Sequence, residues 1–229
     1  MRFTSPVYSD AWGSIAGLVY SRNRTGMYTR ARVTPVNPQT EFQQAVRANQ
    51  AELVAAWTAV LTPAQRAAWD AYALAVPKVS HGISTNITGQ NWYIACNALR
   101  LQSGFALRLD DAPTILQQGL PPSELTVTRV GASQTWNVAF DNADPWANET
   151  EGYLLLYGSR GMNPSRNFFK GPYRYISAVV GDGTVPPTSP QVMTAPFTIV
   201  SGQKYFFSAR AIYADGRIST PFQDTNTPA

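Results

Sequence analysis

Phe42, Val46, Leu53 and Trp57 recur at near-helical spacing and predict a helix from residue 41 to about Val60. Thr40 stands at its N-cap, Gln43 follows at capping-box distance, and Glu41 suits the positive end of the helix dipole. Thr62, Pro63 and Gln65 repeat the device and predict a second helix to Leu74, with Trp69, Tyr72 and Ala73 inward and Pro77 ending it. So short a connection makes the two a helical hairpin in which Trp57 and Trp69 meet. Residues 78–88, rich in Ser, Thr, Gly and Asn, read as loop. Thr88 caps a third helix, Gly89–Gln102, with Trp92, Cys96 and Leu99 on one face and Gly104 as its stop. Three short helices bury little surface alone, so they need the arm that precedes them, the β region or another subunit.

Beyond residue 123 the period changes to two. Leu125–Val130 alternates, as do Trp136, Val138 and Phe140, and later Tyr205, Phe207, Ala209 and Ala211. Tyr153–Tyr157 is a continuous apolar run, as a central strand requires; Tyr173–Val180 and Phe197–Val200 are further strand candidates. Six or seven short strands separated by turns predict an all-β sandwich. Ahead of the helices, Ser14–Tyr20 and Met27–Val36 are strand-like, and Arg22-Asn23-Arg24-Thr25-Gly26 between them suits a hairpin turn. The predicted class is α+β and multidomain. It has a basic extended arm or hairpin at 1–38, a three-helix domain at 39–104, a linker at 105–122 and a sandwich at 123–229.

Charge sharpens this division. Arg2, Arg22, Arg24, Arg30 and Arg32 face Asp10 alone in the first forty residues, which equals the whole chain's net +4, so the remainder is neutral. Arg22, Arg24, Arg30 and Arg32 are therefore the candidate partner-binding residues, an arm for an acidic protein surface. Nucleic acid is the weaker alternative, because the arm has no Lys/Arg run and no aromatic ladder. At 44% apolar and 14% charged residues the chain is globular rather than disordered. No apolar run is long enough to span a membrane, and the N-terminus does not read as a secretory signal.

Candidate chemistry is sparse. A single cysteine excludes an internal disulfide and a thiolate zinc site, and a single histidine argues against a triad or a His-based metal site. Cys96 reads as a small buried hydrophobe and His81 as a loop residue. Asp141, Asp144, Glu149 and Glu151 cluster before the Tyr153 strand, but their spacing fits no EF-hand loop and nothing else supports a glycosidase pair. These absences predict a chain that is not an enzyme and holds no cofactor or metal. Trp136, Trp146, Tyr153, Tyr157, Phe168, Phe169, Tyr173 and Tyr175 are numerous enough to offer an aromatic face, so a host-surface glycan is a second candidate partner.

Pro121-Pro122 leading into Leu125 and Val127, Trp136, Tyr153–Tyr157 and the stretch from Ser201 to Ser219 together resemble a fibronectin type III domain. The resemblance implies an immunoglobulin-like sandwich with Tyr205 as its corner tyrosine, the hydroxyl bonding upstream backbone. The blocks Tyr20–Gly26, Arg30–Pro38, Gln43–Ala48 and Leu61–Trp69 resemble an uncharacterised family of phage- and prophage-associated structural proteins. That resemblance implies a virion protein assembled in a bacterial cytoplasm, most simply a capsid decoration or cement protein. Its expected partner is the major capsid protein or another virion protein, met in multiple copies on a symmetric particle. The alternatives are a tail or head-fibre component, or a carbohydrate- or surface-binding module.

Overall fold

The computed structural model describes residues 12–23, 26–80, 83–104 and 107–228, so Arg24 and His81 lie outside the described residues. The chain forms two units, Met1–Gln43 and Gln44–Ala229.

The N-terminal unit is a three-stranded antiparallel sheet, with β1 (Gly13–Ile15), β2 (Leu18–Asn23) and β3 (Gly26–Ala31) in that order. Ser14–Tyr20 is therefore a hairpin and not one strand. Ala16 (φ 47°) and Gly17 (φ 82°) make a two-residue turn between Ile15 and Leu18, and only left-handed backbone closes a hairpin so tightly. Residues 33–39 have no regular structure and are exposed. Helix α1 (Glu41–Ala59) begins where expected, with the Gln43 N–H donating to Thr40 Oγ1 at 3.3 Å.

In the larger unit α1 leads into α2 (Pro63–Ala75), whose capping box at Thr62 and Gln65 is fully formed. The segment expected to be loop holds a small hairpin, β4 (Lys78–Ser80) with β5 (Ile83–Thr85). Helix α3 (Gly89–Ser103) starts at the Thr88 cap and stops at Gly104, which takes the left-handed conformation. The strands that follow are β6 (Leu125–Arg129), β7 (Thr135–Phe140), β8 (Tyr153–Gly158), β9 (Arg174–Val180), β10 (Gln191–Thr194), β11 (Tyr205–Ile212) and β12 (Phe222–Asn226). They form two antiparallel sheets, β10-β7-β6 and β12-β11-β8-β9, the three-plus-four division of a seven-stranded immunoglobulin-like sandwich.

Two cores meet on the four-stranded sheet. Between the sheets, Trp136 sets its ring against Tyr205 and Phe207 at 5.0 and 4.9 Å, among Val127, Val138, Leu154 and Leu156. On the sheet's other face Tyr153, Leu155 and Ile212 pack with Leu53, Trp69, Tyr72, Trp92, Tyr93 and Cys96 of the helices. This explains the unbroken run at 153–157: β8 is covered on both faces, so neither parity of side chain can be polar. The two tryptophans expected to meet across the helical hairpin both pack against Tyr93 of α3, Trp57 tilted and Trp69 edge-on, each at 5.6 Å between ring centroids.

The separate helical domain and linker expected from the sequence are not separate bodies here, because residues 44–229 form one compact unit. Residues 107–120 are a strap tied on both sides. Trp69 Nε1 donates to the Asp110 carbonyl at 3.0 Å, and Asn97 clamps Leu109 through its carbonyl (3.0 Å) and its N–H (2.8 Å). On the sandwich side the Gly119 N–H donates to the Ile218 carbonyl, and the Tyr213 hydroxyl donates to the Leu120 carbonyl, both at 3.1 Å. A Cβ at Gly119 would lie 2.7 Å from the Tyr213 ring, so only glycine fits there.

The strand expected at Phe197–Val200 is also absent. The Tyr205 hydroxyl and the Gln134 side-chain oxygen accept the N–H groups of Val200 and Ile199, groups that a sheet ladder would otherwise use. The neighbouring partner of β7 is β10 instead.

Candidate attachment surface

No described residue from 12 to 43 is buried, although Trp12, Ile15, Leu18, Val33, Val36 and Phe42 are large apolar side chains and all are exposed. The pairing of Leu18 with Ile15 and Ala31, and of Tyr20 with Thr29, gathers Ile15, Leu18, Tyr20 and Ala31 on one face of the sheet. A three-stranded sheet ordinarily owes its stability to a hydrophobic face packed on another layer. This one has apolar side chains, and among its described residues none is buried.

The register also sorts the arginines. Arg22 lies opposite Met27, while Arg30 lies opposite Val19, so the two project from opposite faces. Arg22, Arg30 and Arg32 are exposed. The single cationic face that a simple hairpin would offer is replaced by cations on both sides of an apolar sheet. No acidic residue lies between Asp10 and Glu41, so the positive field of this stretch is not cancelled within it.

Helix α1 departs from its expected inward stripe. Leu53 and Ala56 are buried and Trp57 is half-buried, but Phe42 and Val46 are 56% and 47% exposed. Only the last two turns of the helix meet the core. Its other side exposes Val46, Ala51, Val54 and Ala55, an apolar strip flanked by Arg47, Gln50 and Thr58. Periodicity alone locates such a stripe, and says nothing about whether anything covers it.

The remaining candidates have structural employment. Asp144 accepts from the Ser123 N–H at 3.0 Å and from Trp146 Nε1 at 3.1 Å, and Glu149 accepts from the Ala214 N–H at 3.0 Å. Glu151 pairs with Arg100 at 2.8 Å. Asp141 accepts from the Ala143 N–H at 2.8 Å. The four carboxylates thus tie loops rather than converge on one point. Burial pushes the Cys96 thiol well above its ordinary range. Of the eight aromatics that suggested a binding face, Phe168 alone is exposed, and Trp136, Trp146, Tyr153 and Phe169 are core. Among the described residues no helix is long and apolar enough to cross a membrane.

No protein-family model matches the chain, and no curated protein matches it. Solved structures do show similarity. A family 76 glycoside hydrolase from a bovine Bacteroides thetaiotaomicron strain is 14% identical with a TM-score of 0.32, over 47% of this chain and 20% of that one. The spore cortex lytic enzyme SleM of Clostridium perfringens is 14% identical with a TM-score of 0.30, over 47% and 28% of the two chains. The third fibronectin III domain of the human KIAA0343 protein is 14% identical with a TM-score of 0.29, over 48% of this chain and 84% of that domain. This chain therefore spans about a fifth to a quarter of the two enzymes it resembles. The expectation that it is not an enzyme is corrected accordingly. Two of these three similar structures are enzymes, against the expectation that the chain is not one. Similarity of this extent assigns no activity to the chain.

Proposed function

We propose that the chain is a structural protein of a phage virion, a capsid decoration protein, which attaches through its N-terminal arm and the outer side of α1 and displays its sandwich. The observation that carries this reading is that no described residue from 12 to 43 is fully buried, in a stretch that nevertheless forms a regular sheet with apolar side chains. A sheet of that composition acquires its missing layer when a partner covers it. Arg22, on the same face as Ile15, Leu18 and Tyr20, suits an acidic protein surface beside an apolar patch, a charged edge to a hydrophobic centre. The virion setting rests on the sequence blocks of the first seventy residues. Many copies on a symmetric particle would add weak attachments into firm binding.

Sedimentation with capsids of the source phage that lack this protein tests the reading. The full chain co-sediments, and a chain beginning at residue 39 stays in the supernatant. Raising salt weakens the attachment, since exposed charge contacts are screened. Binding by the shortened chain, or no binding by the full one, overturns the proposal.

A further inference from the structure

Beside α3 the compact unit contains a cleft of about 360 Å³, within the range of about 300–1,000 Å³ typical of small-ligand sites. Its walls come from α3, β4, β11 and the segment leading to β12. Trp92, Leu99 and Ile218 give it an apolar lining, and the short side chains of Ala95 and Ala98 on α3 leave the space open. Two cations, Lys78 and Arg210, complete it, and no Asp or Glu is among its lining residues.

Arg210 is the unusual member. Along β11, Tyr205, Phe207, Ala209 and Ala211 point into the core between the sheets, and Ile212 belongs to the opposite, helix-covered face. Strand alternation puts Arg210 on that second face, beside Ile212. It is half-buried, whereas Lys78 is exposed, and neither has a carboxylate at ion-pair distance among the described residues. A partly desolvated cation beside an apolar wall attracts an anion more strongly than one in open water. Trp92 is a buried part of the cleft wall, so its indole N–H, which has no acceptor among the described residues, reports on what enters beside it.

We propose that this cleft binds a small monocarboxylate with an apolar body. The planar guanidinium of Arg210 takes the carboxylate through paired N–H donors, Lys78 adds a second positive charge, and the body lies against Trp92, Leu99 and Ile218. This inference is independent of the attachment reading, since it uses no residue of the arm or of α1.

The test is an NMR titration of the full ¹⁵N-labelled chain with octanoate, octan-1-ol and octylammonium. The readout is the Trp92 indole N–H resonance, assigned with Trp92→Phe. Octanoate shifts this resonance saturably, and the alcohol and the ammonium bind at least about tenfold more weakly. Arg210→Gln lowers octanoate affinity to that of the alcohol and leaves the alcohol's own affinity unchanged. Ala98→Leu fills the cleft and abolishes the octanoate shift, and Ala95→Leu serves where that variant does not fold. Equal binding of octanoate and octanol, unchanged octanoate binding in Arg210→Gln, or no saturable shift overturns the proposal.

Discussion

The guanidinium of Arg100, fully buried on α3, donates to the carboxylate of Glu151 at 2.8 Å, and Glu151 stands at the entry to β8. The same side chain donates to the carbonyls of Leu107 at 3.2 Å and Tyr213 at 3.4 Å. One arginine thus ties the helical layer, the strap and the sandwich together. Removing either partner leaves charge or carbonyls unsatisfied, at a cost of about 2–4 kcal/mol. Arg100→Met and Glu151→Ala therefore each lower the urea midpoint. The double variant costs less than the two together, because they remove one shared interaction.

Tyr205 fastens the opposite end of the sandwich. Its hydroxyl accepts from the Val200 N–H at 2.8 Å and donates to the Thr198 carbonyl at 3.4 Å, which is the corner geometry expected from the sequence. Tyr205→Phe leaves the Val200 N–H without an acceptor. It lowers stability by about 1–2 kcal/mol in chemical denaturation while the fold is retained.

Alkaline pH attacks the layer between helices and sheet. Burial raises the phenols of Tyr72, Tyr93 and Tyr157 above their ordinary value of about 10, and Tyr157 is pushed up to about 12. Each is neutral in the folded chain at a pH where the unfolded chain ionises. The stability they contribute is complete below about pH 10 and is lost as the pH rises towards 12. Denaturation midpoints measured from pH 8 to 12 stay level and then fall. Tyr157→Phe, which also removes the hydroxyl's bond to Gln102, flattens that fall by up to about 1.4 kcal/mol per pH unit.

Cys96 is 1% exposed, and desolvation disfavours its thiolate. A thiol reagent at neutral pH leaves the native chain unlabelled over the time in which it labels the unfolded chain completely. Rapid labelling of the native chain would show that α3 opens readily from the sheet.

Much of this fold is written locally. Thr62 with Gln65, Thr88 and Gly104 mark helix ends through backbone groups that need a cap whatever the tertiary surroundings, and they fall where expected. The alternation at Trp136, Val138 and Phe140 places β7 for the same reason. What local pattern could not carry was which layer covers which. The run at 153–157 signals burial on both faces, yet nothing in it names the helices as the second cover. Phe42 and Val46 carry the same periodicity as Leu53 and stay exposed. β10 hides among Pro186, Pro187, Pro190 and Pro196, which mask a short strand whose Met193 faces the core. At the candidate site the excess of arginine was legible. The separation of Arg22 from Arg30 was not, since it depends on the register of Asn23 with Gly26.

Amide hydrogen exchange on capsid-bound and free protein tests the central claim most directly. In the free chain the amides of β2 and β3 exchange far faster than those of β8 and β11, because no buried layer protects them. Binding to the particle slows exchange in residues 13–31 and along the outer side of α1, and leaves the sandwich unchanged. New protection confined to residues 125–226, with none in the arm, would contradict the account.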